Sequence, residues 1–264
     1  MLLRFATFLA PNMFSVYRFI ASYAGRRLGL ATELIVGSSF DQFERGQADV
    51  GYICGLPYVL LTRRVPSPVE LLAAPVLQGE RYQDRPVYFS DVIVKKDSPH
   101  QSFAGLRGCS WSFNDPHSQS GYGITRYSLV KMGEINGFFD RVVEAGFHQA
   151  SIRMVARGRV DASAIDSQTL AIELRDHPAL AAQLRVIGAL GPSSIQPVVA
   201  ASRLPASLKQ ELRNLFLELA FDSTAQEHLT LGLIRRFAAV EDTGYDDIRN
   251  MLSACERAGF MVIR

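Results

Sequence analysis

Two serines, a glutamine and a glycine sit together where a polar loop runs into a helix: Asp115-Pro116-His117-Ser118-Gln119-Ser120-Gly121-Tyr122. The first turn of a helix has unpaired N–H groups and a partial positive charge. Serine hydroxyls beside it, and a glycine that lets the backbone come close, make a seat for an oxyanion that needs no lysine. An ordinary serine N-cap has the same spacing, and the residues alone leave both readings open. Other chemistry is thinner. The chain has no GxSxG, HExxH or GxGxxG run and no phosphate-binding Gly-Lys-Ser/Thr loop. His100, His117, His148, His177 and His228 show no metal-ligand spacing. Asp115, His117 and Ser118 have the residue types of a triad, but side chains crowded on one loop seldom reach its geometry. No catalytic residue, cofactor or metal is expected.

The elements that must hold this loop are ordinary soluble ones. Of the 264 residues, 48% are hydrophobic and 20% charged, enough for one large domain or two lobes with real cores. The 28 basic and 26 acidic residues nearly cancel, which argues against nucleic acid or an anionic membrane as partner. Cys54, Cys109 and Cys255 are odd in number and far apart, so neither a disulfide framework nor a zinc site is read from them. The first ten residues are too short for a secretory leader and read as a first strand. No run approaches the ~18 apolar residues of a membrane span. The expectation is a soluble chain, either cytoplasmic or the mature form of an exported, periplasmic protein.

Strand and helix patterns alternate. Strands are expected at 2–9, 33–36, 50–53, 71–77, 88–95, 106–113, 142–144, 161–165, 184–187 and 196–201. Helices are expected at 13–28, 121–132, 149–157, 167–176, 205–221, 223–231 and 243–257, with a short one after Ser38-Ser39-Phe40-Asp41. The βαβα rhythm predicts parallel or mixed sheets with helices on both faces. A Gly/Pro/Ser stretch from Gly188 to Pro192 leads from the strand at 184–187 to that at 196–201, and no repeat or low-complexity segment appears. Two α/β lobes with a hinge of crossing strands, near 84–94 and 188–198, would put a ligand in the crevice at strand carboxyl ends.

Several segments resemble, in order, those of the phosphate-, phosphite- and phosphonate-binding proteins of ABC transporters. The serine loop is similar to the family's P-x-S-T-S-G-Y, and Ala48-Asp49-Val50-Gly51-Tyr52 through Tyr58 to its A-D-V-A turn ending in Tyr. Tyr88-Phe89-Ser90 with Lys96-Asp97-Ser98, Leu106-Arg107-Gly108, Ala145-Gly146-Phe147-His148, Gly158 to Ala162 and Tyr245 to Arg249 match further segments. The resemblance implies the type II periplasmic-binding-protein fold, with a mixed central sheet in each lobe and a two-strand hinge. It implies one lobe from 1–86 and 196–264 and another from 87–195, with the ligand crevice between them. It also implies a solute-binding protein for a small phosphorus oxyanion, which does no chemistry on it and serves an ABC transporter permease.

Carried over, the resemblance implies ligand-binding roles for Tyr58, Tyr88, Ser118, Gln119, Ser120, His148 and Asp166. The serines and Gln119 would hold the anionic head, the two tyrosines and His148 would donate to it, and Asp166 would face the ligand's substituent. Gln119 stands where the family usually has Thr, and Cys54-Gly55-Leu56 departs from its Gly-Pro turn. A cytoplasmic enzyme or a ligand sensor on the same fold is the alternative, with His148 and Asp166 as acid and base.

Overall fold

The structure is a computed structural model that describes residues 2–263. The strands are β1 (Leu2–Thr7), β2 (Ala31–Val36), β3 (Val50–Tyr52), β4 (Val69–Leu77), β5 (Val87–Lys95), β6 (Ser110–Phe113), β7 (Arg141–Glu144), β8 (Ala162–Asp166), β9 (Leu184–Ser194), β10 (Val198–Ala201) and β11 (Ile234–Ala238). The helices are α1 (Phe14–Leu28), α2 (Gly55–Thr62), α3 (Ile124–Lys131), α4 (His148–Ala156), α5 (Ser167–Asp176), α6 (Pro178–Ala181), α7 (Ala206–Glu218), α8 (Ser223–Leu231) and α9 (Asp246–Arg257). The chain divides into two compact units. Unit 1 takes the chain up to Val87 and Ser194–Asp246; unit 2 takes Tyr88–Ser193 and the chain from Asp247 on.

Unit 1 holds a six-stranded sheet in the order β11-β4-β10-β3-β1-β2. β1 runs parallel to β2 and β3, while β10 and β11 pair antiparallel with their neighbours. The strands carry Leu3, Phe5, Val50 and Tyr52 into a core closed by Tyr17, Ile20, Phe216 and Phe237, all buried. Tyr17 stacks on Tyr52 with ring centroids 3.8 Å apart. Asp49 anchors the start of β3 by accepting the Arg4 backbone N–H at 2.7 Å.

Unit 2 holds a five-stranded sheet in the order β7-β6-β8-β5-β9. Its central strands alternate strictly. Val92, Val94, Trp111, Phe113, Ala162 and Ala164 face one core with Leu106, Phe138 and Phe139. Ile93 and Ile165 face the other, with Ile152 and Val155 of α4 and Leu170 of α5. Both faces are covered, which is why these strands read as continuous apolar runs.

Some expectations need correction. The sequence reading placed 196–264 entirely with the first lobe, but the chain from Asp247 on groups with unit 2. The reason is apolar: Phe260 and Ile263 lie in the same core as Trp111. The backbone of the tail is pinned too, since Arg126 Nη1 donates to Met261 O at 3.1 Å and Ile263 N–H to Tyr122 Oη at 3.3 Å. The chain therefore changes unit at 87/88, 193/194 and again at 246/247. β9 runs unbroken through Gly188 and Gly191-Pro192 to Ser194, longer than the 184–187 expected. α2 and β11 were not expected at all.

Candidate functional site

In unit 2, β6 lies parallel to both β7 and β8, so three carboxyl ends emerge along one edge of the sheet. A helix start follows each. After β6 comes a π-helical turn, Gln119–Gly123, leading into α3; after β7 comes α4; after β8 comes α5. β5 runs antiparallel to β8 with Ser90 opposite Asp166, which brings its first residues to the same edge. Phe89 N–H donates to Ser167 Oγ there, at 3.2 Å. Three helix N-termini along one edge concentrate positive potential where an anion would sit.

Ser118 caps the π turn: its backbone is extended and its Oγ accepts Gly121 N–H at 3.2 Å. At position 121 a Cβ would run into the Asn114 side chain and stand 3.3 Å from Asn114 N, so any other residue requires Asn114 to shift. Ser118 Oγ lies 3.2 Å from Ser120 Oγ, and Ser120 Oγ lies 2.8 Å from His148 Nε2. His148 is the first residue of α4. Its N-cap, Phe147, supplies no side-chain bond, so that helix start is left open to an incoming acceptor. Asp166 caps α5, with Oδ1 accepting Thr169 N–H at 2.8 Å.

His148 is 6% exposed. Burial penalises its charged form and pulls its pKa down to about 3, so the imidazole is neutral at physiological pH. Its Nδ1 has no hydrogen-bond partner. Ser120 with His148 has the spacing of a nucleophile and base. An imidazole with a pKa near 3 is a weak proton acceptor at neutral pH, and no carboxylate orients its second nitrogen. The arrangement suits binding rather than acyl transfer.

The structure thus joins Ser118, Ser120 and His148 in one chain of contacts, with Asp166 and Tyr88 on the same edge. Gln119 is buried in the π turn, and its amide donates to Ser193 Oγ at 3.4 Å and to Met251 Sδ at 3.2 Å. Its side chain ties this loop to the end of β9 and to α9. Tyr58 belongs to unit 1, on α2. Its hydroxyl donates to Asp242 Oδ1 at 2.6 Å and its ring packs on Tyr245, centroids 4.7 Å apart. His117 sits on the exposed part of the loop, 3.1 Å from Asp115 Oδ1. The sequence reading missed Gln149, which follows His148 on α4 and is buried with both side-chain polar atoms unpartnered. No motif marks it; only its place on the helical stripe with Ile152 and Ala156 could have shown that it turns inward. Among the described residues no group of three or more His, Cys, Asp or Glu could hold a metal ion, and no helix is long and apolar enough to cross a membrane.

Comparison with known proteins gives the family and the fold. The family model described as ABC transporter, phosphonate, periplasmic substrate-binding protein matches residues 6–245. No curated protein sequence matches the chain. Among solved structures, the chain is similar to a binding protein component of an ABC phosphonate transporter from Pseudomonas aeruginosa, at 19% identity and TM-score 0.85, covering 98% of this chain and 87% of that one. It is similar to PhnD1 from Prochlorococcus marinus in complex with methylphosphonate, at 18% identity and TM-score 0.81, covering 98% of each. It is also similar to the periplasmic aliphatic sulphonate binding protein SsuA from Escherichia coli, at 13% identity and TM-score 0.64, covering 98% of this chain and 87% of that one. At such identities the likeness shows the fold, which is that of the type II periplasmic binding proteins.

Proposed function

Because the chain belongs to the family of periplasmic substrate-binding proteins of phosphonate ABC transporters, we propose that it holds a small phosphonate by its anionic head at the unit 2 edge. The observation that supports this most is the contact chain from Ser118 through Ser120 to His148, laid across two helix starts. Each donor there is neutral. Hydroxyls and helix N–H groups can meet the three oxygens of a tetrahedral head without a buried cation to neutralise. Tyr88 and Asp166 share the edge and are proposed to complete it; Tyr58 of unit 1 is proposed on the resemblance alone.

The family is the substrate-binding component of a transporter and not an enzyme, so the binding reading stands before the catalytic one. A permease is the proposed partner and the periplasm the proposed compartment, both by family. Finding the protein only in the cytoplasmic fraction of its own cells would remove both. The binding test is calorimetry on ligand-stripped protein with methylphosphonate, the ligand held by the Prochlorococcus protein, alongside phosphate, phosphite, 2-aminoethylphosphonate and sulfate. Micromolar or tighter binding of a phosphorus oxyanion, with sulfate silent, is expected. Silence across all of them would sink the proposal.

A further inference from the structure

Gln149 is the second residue of α4, directly after His148. It is 9% exposed, and neither Oε1 nor Nε2 has a hydrogen-bond partner. A carboxamide brings two donor hydrogens and an acceptor oxygen, and leaving both unmet in a buried place is unfavourable. Helix geometry says where that side chain lies. One turn further on, Arg153 reaches Glu173 of α5, 3.8 Å away. α4 and α5 both return from parallel strands, so they run side by side in the same sense. Ile152, almost one turn on, packs in the apolar cluster with Ile165 of β8. Gln149 lies on that same inward stripe, nearer the start of α4. The Gln149 side chain therefore belongs to the layer of helix starts that also holds His148. His148 Nδ1, also buried, is unpartnered in that same layer.

We infer that Gln149 reads the organic part of the ligand, and that the group it takes is one that both donates and accepts, a hydroxyl on the carbon chain of a phosphonate. This rests on the proposed function above. The hydroxyl oxygen accepts from Nε2–H, and its proton goes to Oε1 or to the Asp166 carboxylate. An ammonium only donates and leaves Nε2 unmet. An alkyl chain leaves both carboxamide atoms unmet. The inference concerns the substituent alone; the phosphonate head stays with Ser118 and Ser120.

The experiment is calorimetric titration of the full chain with ethylphosphonate, 2-hydroxyethylphosphonate and 2-aminoethylphosphonate. The native protein is expected to bind the hydroxyethyl compound about tenfold tighter than the ethyl one. Gln149→Leu should erase that preference and leave ethylphosphonate affinity within about twofold. Gln149→Glu keeps an acceptor and lacks the donor, so its preference should move to the aminoethyl compound. Should the leucine variant fail to fold, Gln149→Met removes the same hydrogen bonds at nearly unchanged length. A native protein indifferent to the hydroxyl, or a preference that survives in Gln149→Leu or Gln149→Met, overturns the inference while phosphonate binding stands. Failure of all three compounds to bind the native protein overturns the proposed function, and the inference with it.

Discussion

The two sheets offer the same kind of edge and furnish it differently. In unit 1, β1, β2 and β3 are parallel, so three carboxyl ends come out together as they do in unit 2. The turn after β1 begins at Ala10 and has no side-chain cap. The turn after β2 is closed on itself by a capping box between Ser39 and Gln42. α2, after β3, is capped by Cys54 without a side-chain bond. What fills this part of unit 1 is aromatic: Tyr17 stacks on Tyr52, and Tyr58 leans on Tyr245. In unit 2 the corresponding starts carry Ser118, His148 and Asp166. Parallel strands and helix dipoles are present in both units. Hydroxyls beside a glycine also follow β2, at Gly37-Ser38-Ser39, but there Ser39 Oγ is taken up by Asp41 N–H in the capping box; the linked Ser118, Ser120 and His148 of unit 2 are what make its edge the proposed seat.

Acid should break the comparison most sharply. The folded His148 pKa is about 3, below the ordinary value of about 6.5 for an exposed imidazole. The unfolded chain takes up this proton as pH falls below 6.5, and the folded chain does not until pH approaches 3. Stability linked to His148 is therefore present above 6.5 and lost as pH falls from there toward 3, at up to about 1.4 kcal/mol per pH unit. Urea unfolding at pH 7 and pH 4.5, followed by Trp111 fluorescence, should show the loss, and His148→Asn should flatten it; an unchanged slope in that variant would remove His148 as its source. Burial moves Tyr52 of unit 1 the other way, well above its usual range, so it is silent in acid.

Ser120→Ala comes next. Removing a hydroxyl that serves an anion should weaken phosphonate binding about 10- to 100-fold, with the fold kept. Titration of a variant with native affinity would move the seat away from the π turn. Tyr58→Phe deletes the donor to Asp242 and should cost about 1 kcal/mol of stability in denaturant. A simultaneous fall in phosphonate affinity would mean that unit 1 also contributes to binding, and native affinity would confine binding to the furniture of unit 2. The smallest effect belongs to Tyr52→Phe. Its hydroxyl is buried without a partner, so thermal unfolding should show a change within about 0.5 kcal/mol, or a gain. A large loss there would show that unit 1 depends on a polar contact of Tyr52.

Much of this was legible in the chain before the fold. The central strands of unit 2 are written as apolar runs and α1 as an apolar stripe. The Ser118–Gly121 loop announces itself because hydroxyls and glycine at a helix start are rare outside caps and anion seats. Three elements were hidden for physical reasons. β9 contains two glycines and a proline, which read as breakers, yet it lies at the outer edge of its sheet, where one side needs no ladder N–H. β11 is likewise an edge strand, and its Arg235-Arg236 pair looks like loop although charge on an edge is protective. α2 opens with Gly55-Leu56-Pro57, turn residues that a helix tolerates in its first turn. Within the site, His148 was legible by its motif, but its neutrality and the inward turn of Gln149 depend on burial, which only tertiary packing sets.

Phe260 and Ile263 lie in the core of unit 2 with Trp111. A ribosome delivers Tyr88–Ser193 early, so the sheet of unit 2 is made well before Phe260 and Ile263 exist to cover it. Unit 1 is likewise opened at residue 87 and finished only by Asp246. Neither unit can mature while most of the polypeptide is still being synthesised. Folding of unit 2 thereby waits on Phe260 and Ile263, and a nascent chain stalled short of Phe260 should remain sensitive to protease where the longer one is resistant.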